Sequence, residues 1–246
     1  MDSESRRLAE LGCDKYQLSI DGTRETHDSI RKPGSFDTTL EKIPRIRNAG
    51  ISCAIMTTVS GKNIAEIPEI ISLAVEHGAD IFAFGRYCPT SAEKENHVSP
   101  REYRALLETC WEQFEFYKDS ETSFNLKDHL WTLFLHENGL FKIPADAIDG
   151  VIYDGCNCGN CHMTILPSGD VYACRRMESR VGNALTEQLQ DVFLGEAMNA
   201  YWQYQRFEKC SKCELLRFCR GCPAVAHGAT GNMYAADPQC WKEIGA

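Results

Sequence analysis

The chain has 246 residues, of which 43% are hydrophobic and 25% charged, so it is long enough for one large domain or two small ones. Its formal net charge is −9, and no lysine and arginine run is long enough to follow a phosphate backbone, which argues against a nucleic-acid partner. No stretch of about eighteen apolar residues occurs and the N-terminal residues are too polar for a secretory signal, so we expect no membrane association and a cytoplasmic location.

Strand and helix patterns alternate along the first half of the chain. Three short apolar runs predict strands, and each is followed by a helical pattern. This spacing is typical of repeated β-α-β units, so the sheet should be parallel. Three parallel strands are too few to close a barrel, so we expect part of a larger sheet. The predicted strands are residues 16–20, 51–59 and 81–84.

Capping patterns mark where the predicted helices begin. Asn63 and Glu66 are three residues apart and resemble a capping box before the second helix. Ser99, Pro100 and Glu102 give the third helix a serine cap, a proline in the first turn and a completed box. A further helix is predicted near residues 126–135. The predicted inward positions are Phe36, Leu40, Ile43 and Ile46 in the first helix, Ile64, Ile67, Ile70, Ile71 and Ala74 in the second, and Tyr103, Leu106, Leu107, Cys110, Phe114 and Tyr117 in the third.

Cysteine usage separates the two halves of the chain. Four of the thirteen cysteines, Cys13, Cys53, Cys88 and Cys110, are isolated, and we expect them to be buried apolar groups. The other nine are clustered, and in a reducing compartment such clusters favour metal binding over disulfides. Spacing alone leaves zinc and iron-sulfur clusters open, because both take four thiolates. The nine are Cys156, Cys158, Cys161, Cys174, Cys210, Cys213, Cys219, Cys222 and Cys240.

Two parts of the sequence resemble one enzyme family. Residues 166–174 predict a turn and a strand that delivers Cys174, with Gly169 five positions before it. Together with the following Cys-x2-Cys-x5-Cys-x2-Cys group, this resembles the C-terminal twin-cluster domain, SPASM, of radical S-adenosylmethionine enzymes. Residues 17–22, 25–28, 30–31 and 34–36 resemble the fourth strand of the partial (β/α)6 barrel in the same enzymes, with the loop and helix that follow it.

The resemblance implies an α/β fold in three parts. Residues 1–118 would form a partial parallel (β/α) barrel, the C-terminal half of a radical S-adenosylmethionine barrel. Residues 119–155 would be a bridging segment, and residues 156–246 a small cysteine-rich SPASM domain. Ser19 and Asp21 would bind S-adenosylmethionine, although capping of the following turn explains each of them equally well.

The resemblance also implies two [4Fe-4S] clusters. A distal cluster would be held by four of the late cysteines, with Cys222 crossing back to a nearer cluster. The nearer cluster would also take Cys174 and two of the three cysteines between 156 and 161. The distal ligands would be Cys210, Cys213, Cys219 and Cys240, and the nearer ones Cys222, Cys174 and two of Cys156, Cys158 and Cys161.

One motif of the family does not occur in this sequence. The family's radical chemistry needs a Cys-x3-Cys-x2-Cys loop, which precedes the strand found here near residue 15, and no such spacing is present. We therefore expect the chain to begin about halfway through the barrel, as a truncated piece of a longer enzyme or as a natural remnant. By itself it should not cleave S-adenosylmethionine.

The resemblance implies that the intact enzyme uses a 5′-deoxyadenosyl radical to modify a peptide or protein side chain. It also implies an electron donor such as flavodoxin or ferredoxin. Arg175 stands where sulfatase-maturing relatives carry an aspartate base, and because arginine cannot accept a proton, a peptide maturase is favoured. Two alternatives stay open: a non-catalytic iron-sulfur module for electron transfer or peptide binding, and a structural zinc-binding interaction protein. No catalytic side chain is predicted.

Overall fold

The computed structural model describes residues 3–89 and 96–244. The chain forms two compact units. Of the described residues, the first unit contains 3–87 and 96–128. The second unit contains residues 88–89 and 129–244. The segment 119–155, predicted to connect two domains, is therefore divided between the two units.

A parallel sheet forms the centre of the first unit. Its four strands lie in chain order, and neighbouring strands run in the same direction, as the spacing predicted. The fourth strand falls in a stretch where we predicted none, because three residues carry too short a pattern to be recognised. The strands are β1 (Lys15–Ser19), β2 (Ser52–Val59), β3 (Ile81–Arg86) and β4 (Ser123–Asn125).

Six helices accompany this sheet, and their apolar faces are mostly those predicted. In the second predicted helix, all the inward positions except Ile64 are buried, and in the third all except Tyr117. The alternating α/β architecture with a parallel sheet is confirmed. The helices are α1 (Ser3–Glu10), α2 (Arg24–Ile30), α3 (Ser35–Leu40), α4 (Lys42–Arg47), α5 (Ile67–Glu76) and α6 (Pro100–Phe116).

The first predicted helix is two short helices in the structure. Its apolar residues, Phe36 and Leu40 in α3 and Ile43 and Ile46 in α4, are buried as predicted. The break follows Leu40, and Pro44 explains it. A proline has no N–H to donate to the carbonyl four residues earlier, and its ring clashes with that carbonyl, here the one of Leu40.

One of the two predicted capping boxes forms. Ser99 Oγ accepts a hydrogen bond from the Glu102 N–H (3.2 Å), and Glu102 Oε2 accepts one from the Ser99 N–H (2.8 Å). The box at Asn63 and Glu66 was wrong. The Asn63 side chain accepts from the nearby Ser60 N–H (2.8 Å), and Glu66 accepts from the distant Thr23 N–H, so neither side chain caps the helix.

The second unit is built from short elements. A helix, α7 (Leu130–Glu137), begins four residues after the start predicted near residue 126. A three-stranded antiparallel sheet follows, and β6 ends two residues before Cys174, as predicted. No helix within residues 3–89 and 96–244 is long and apolar enough to cross a membrane. The remaining elements are β5 (Thr164–Ile165), β6 (Asp170–Tyr172), β7 (Arg180–Asn183), α8 (Leu189–Leu194), α9 (Glu196–Asn199) and α10 (Pro223–Thr230).

Candidate metal centres

Four cysteines line one cavity in the second unit. The cavity has about 310 Å³ of empty space, part of which is open to solvent. Apolar side chains, Leu133, Leu215 and Ile244, form much of its wall, and Lys209 and Lys242 contribute positive charge. The four cysteines are those predicted to hold the distal cluster, Cys210, Cys213, Cys219 and Cys240.

Tight turns position these thiols. The Cys213 N–H donates to the Cys210 carbonyl (3.0 Å), which closes a single 3-10 turn between the two cysteines. The Cys240 N–H donates to the Asp237 carbonyl (3.0 Å) in the same way. Each thiol is therefore held by local backbone hydrogen bonds rather than by a long helix or strand.

Burial favours the protonated form of the Cys210 and Cys219 thiols. It raises the pKa of Cys210 to about 12, with a further contribution from the neighbouring Cys240. Burial likewise raises the pKa of Cys219 above its ordinary value. Bound iron would supply the positive charge that a buried thiolate needs.

A second group of thiols comes from distant parts of the sequence. The Cys158 thiol is hydrogen-bonded to Cys174, and Cys156 lies within electrostatic range of Cys174 and Cys222. Three sulfurs of the group accept N–H hydrogen bonds, and such bonds stabilise thiolates. The Cys158 N–H donates to Cys156 Sγ (3.5 Å), the Arg176 N–H to Cys174 Sγ (3.4 Å), and Arg176 Nη1 to Cys222 Sγ (3.9 Å).

Cys174 is more acidic than an ordinary cysteine thiol. The hydrogen bond from the Cys158 thiol is the main cause, helped by the Arg176 N–H and the charges of Arg175 and Arg176, and together they lower the pKa of Cys174 to about 6. The same hydrogen bond raises the pKa of Cys158, because Cys158 keeps the proton that the pair shares. Cys174 is thus prepared to act as a thiolate ligand.

Cys161 is not part of either group. Its side chain is exposed, whereas Cys156 and Cys158 are buried. Of the three cysteines between residues 156 and 161, the structure therefore brings only Cys156 and Cys158 to the other thiols of the second group.

Two buried polar side chains that the sequence analysis did not identify hold the thiol loops. Asp237 Oδ2 accepts from the Cys222 N–H (2.8 Å), and its Oδ1 accepts from the Gln239 N–H (2.9 Å). Arg220 donates to the carbonyls of Asp154 (2.7 Å) and Cys156 (2.5 Å). In the sequence, only their positions close to cysteines could have indicated this role: Arg220 lies between Cys219 and Cys222, and Asp237 lies three residues before Cys240.

The donor chemistry of the distal cavity fits an iron-sulfur cluster. Among the residues that the structure describes, no three or more His, Cys, Asp or Glu side chains converge closely enough to hold one ion. The distal thiols surround a volume instead, and their cavity contains no carboxylate or imidazole. An all-cysteine donor set around a cavity suits a [4Fe-4S] cluster, which takes four thiolates.

Ser19 and Asp21 lie at the carboxyl end of β1 in the first unit. Ser19 is the last residue of the strand and is half-buried. Both carboxylate oxygens of Asp21 are engaged: Oδ1 accepts from the Thr58 N–H (2.8 Å) and Oδ2 from Arg31 Nε (2.7 Å). These bonds give Asp21 a structural role in joining β1, β2 and the loop that ends α2.

Two family profiles match the sequence. The profile of the radical SAM superfamily matches residues 2–74, and the profile of SPASM, an iron-sulfur cluster-binding domain, matches residues 156–223. The matched segments are the two that carried the resemblance in the sequence.

Curated relatives align with nearly the whole chain. An AdoMet-dependent heme synthase from Methanosarcina barkeri is 28% identical over 95% of this chain and 69% of that protein. The mycofactocin maturase MftC from Mycolicibacterium smegmatis is 28% identical over 97% of this chain and 60% of that protein. The chain thus spans about two thirds of the length of these relatives.

Solved structures share the fold. The structure of anSMEcpe with bound AdoMet and the Cp18Cys peptide superposes with a TM-score of 0.71 at 18% identity, covering 98% of this chain and 68% of that chain. Streptococcus suis SuiB bound to the precursor peptide SuiA gives a TM-score of 0.65 at 18% identity, covering 92% of this chain and 53% of that chain. Both family profiles match in order, so residues 2–74 are similar to the radical S-adenosylmethionine superfamily and residues 156–223 to the SPASM iron-sulfur domain.

Proposed function

We propose that the protein modifies a peptide or protein side chain by radical chemistry, with two auxiliary [4Fe-4S] clusters in its second unit. The observation that carries this proposal is the cavity lined by four cysteines, beside which the chain gathers a separate second group of thiols. Relatives named as peptide maturases support the substrate class. The cytoplasmic location and the flavodoxin or ferredoxin donor stay predictions from the sequence.

The residues divide between the clusters as follows. Cys210, Cys213, Cys219 and Cys240 would hold the distal cluster. Cys156, Cys174 and Cys222 would give the nearer cluster three ligands, since the sulfur of each accepts an N–H hydrogen bond. The fourth ligand would come from another thiol of the same group. Such clusters carry electrons, and Lys209 and Lys242 would offset negative charge at the distal one.

The assignment is tested by removing one thiol from each group. In anaerobically reconstituted protein, we expect C213A to remove or alter the distal cluster signal alone, and C156A the nearer one alone, in Mössbauer and electron paramagnetic resonance spectra. C13A is the matched control, because Cys13 lies in the first unit. If both substitutions abolished the same signal, the division into two clusters would be wrong.

Substrate modification further requires S-adenosylmethionine. Ser19, at the end of β1, would contact it, and Asp21 would shape that edge through Arg31 and Thr58. Because no Cys-x3-Cys-x2-Cys spacing occurs in these 246 residues, we expect 5′-deoxyadenosine only when that loop is supplied by additional protein. The readout is 5′-deoxyadenosine formed with and without such an addition.

A tetrapyrrole is the second candidate substrate. Three relatives of 26–28% identity that cover 95–96% of this chain are named AdoMet-dependent heme synthase. Titration of the reconstituted protein with an iron coproporphyrin and with a precursor peptide encoded beside its gene separates the two. Saturable binding of the peptide alone supports the maturase, and saturable binding of the porphyrin alone supports the second candidate.

A further inference from the structure

Cys88 does not behave as the isolated apolar cysteine that its sequence position predicts. The chain leaves the sheet after β3, and Cys88 belongs to the second unit. Its thiol is hydrogen-bonded to that of Cys222, and Cys174 lies within electrostatic range. Cys88 is therefore a fifth thiol of the group proposed to hold the nearer cluster.

Close packing fixes this segment in place. Gly228 in α10 lies so near the Pro89 carbonyl that a Cβ built on the glycine would stand 1.9 Å from the Pro89 oxygen. Only a residue without a side chain allows this approach. Since α10 begins directly after Cys222, the contact holds the backbone of Cys88 and Pro89 against the same helix that carries the Cys222 thiol.

The surroundings of Cys88 match those of two other proposed ligands, Cys174 and Cys222. Cys88, Cys174 and Met177 all pack against the buried cluster formed by Cys222 and the start of α10. The Arg176 guanidinium acts electrostatically on Cys88 and Cys174 and donates to Cys222 Sγ. The positive charge of one arginine therefore acts on three sulfur atoms, and such a charge stabilises thiolates.

Cys158 is the rival for the same position. It belongs to an apolar cluster with Cys156, Val171, Val181 and Met198, against which Cys174 also packs. The Cys158 N–H donates to Cys156 Sγ, two positions earlier in the chain (3.5 Å). Cys158 is thus placed to support ligands on both sides of it, through its N–H to Cys156 and its thiol to Cys174.

From these contacts we propose that Cys88 is the fourth ligand of the nearer [4Fe-4S] cluster, together with Cys156, Cys174 and Cys222. The proposal rests on the second unit binding two clusters. It extends the ligand set beyond the clustered cysteines of the sequence, to a residue that follows β3.

Three alanine variants test the proposal: C88A, C158A and C161A, each reconstituted anaerobically beside the unsubstituted chain. We expect C88A to lose about one to four irons of about eight, and to change the Mössbauer spectrum of the nearer cluster while the distal spectrum persists. C158A and C161A should keep the full iron content. Circular dichroism checks that every variant is folded.

A second variant keeps the thiol and disturbs its position. G228A should displace Pro89 and reproduce the iron loss of C88A, whereas A229G, at the adjacent helix position, should not. Thiol alkylation supplies a readout that does not require substitution of Cys88. Cys88 should be protected in the loaded protein and reactive after chelation, with exposed Cys161 reactive in both states.

The outcomes separate this inference from the function on which it rests. Iron content and spectra of C88A equal to those of the unsubstituted chain would overturn the role of Cys88 and leave the two clusters standing. Loss in C158A as large as in C88A would overturn it as well. If the unsubstituted chain took up no iron, the proposed function and the inference would fail together.

Discussion

Gly221 separates two thiols that belong to different groups, Cys219 and Cys222. Its φ is +59°, and a Cβ there would stand 2.7 Å from the Asp237 side chain. G221A should therefore lose stability for two reasons. An alanine in the left-handed backbone conformation costs about 1–2 kcal/mol, and the overlap of its Cβ with the Asp237 side chain costs about 1–3 kcal/mol. During urea unfolding, we expect G221A to lose its iron at a lower urea concentration than the unsubstituted chain and to unfold with a lower midpoint.

Gly139 provides the control for this substitution. Its φ is +71°, but nothing lies within 4 Å of a Cβ built there. G139A should therefore show the backbone cost alone and keep its iron. Equal effects of G221A and G139A would mean that the contact with Asp237 does not position the thiols.

His27 gives the first unit a pH dependence. Burial lowers the pKa of His27 below its ordinary 6.5, and its Nδ1 accepts a hydrogen bond from the Asp21 N–H (3.0 Å). The unfolded chain takes up a proton near pH 6.5 while folded His27 stays neutral, so its stabilising contribution is complete above pH 6.5. That contribution is lost as the pH falls from 6.5 towards the lowered pKa of the folded state.

Asparagine tests this assignment, because its side-chain oxygen can accept the same N–H without titrating. The free energy of unfolding of H27N should fall less than that of the unsubstituted chain between pH 7 and pH 5. H77N, at an exposed histidine, should keep the original slope. Parallel pH profiles for H27N and the unsubstituted chain would rule out the role given to His27.

The family resemblance implied the four proposed distal ligands, and their short spacings are a local feature of the sequence. All four predicted thiols line one cavity. Contacts made across the fold leave no such feature. Asp237 and Arg220 act through hydrogen bonds to loops up to 66 residues away, and Cys88 meets Cys222 only after folding.

At the level of elements, a buried ion pair ties β3 to the residues after β4. Arg86 Nε donates to Asp128 Oδ2 (2.8 Å), and the two side chains are 0% and 4% exposed. Removing one charge of such a pair leaves the other buried without its counter-charge, which costs about 3–5 kcal/mol. D128N should therefore strongly lower the midpoint of urea unfolding of the first unit.

Glu121 is the matched control, since it pairs with Arg47 (3.2 Å) but is 84% exposed. An exposed pair contributes about 0–1 kcal/mol, so E121Q should change stability little. A D128N variant as stable as E121Q would contradict the importance of the buried pair for this sheet.

Periodicity predicted the long elements and failed on the short ones. The strands β1 to β3 and the inward faces of α5 and α6 follow patterns that extend over several residues. β4 has three residues and its pairing with β3 decides its conformation, so no local pattern reveals it. The break after α3 could have been predicted from the sequence, because Pro44 lies within the predicted helix.

At the scale of the molecule, the two units differ in what holds them together. The first has a four-stranded sheet with buried helix faces, whereas the strands of the second are two to four residues long. Bound clusters should thus contribute much of the stability of the second unit, since metal binding adds directly to folding free energy.

Hydrogen exchange resolves this difference. After anaerobic chelation of iron, amide exchange should accelerate in β5 to β7 and α10 and stay nearly unchanged in β2, β3 and α6. C161A provides a control, because its exchange in the loaded state should equal that of the unsubstituted chain. Equal acceleration in both units would show that the clusters do not stabilise the second unit selectively.

The central claim is that the second unit holds two [4Fe-4S] clusters. The most direct measurement is the iron, acid-labile sulfide and zinc content of the chain after anaerobic reconstitution. We predict about eight irons and about eight sulfides per chain, without stoichiometric zinc. Protein that takes up no iron, or colourless protein with one or two zinc ions per chain, would contradict the account.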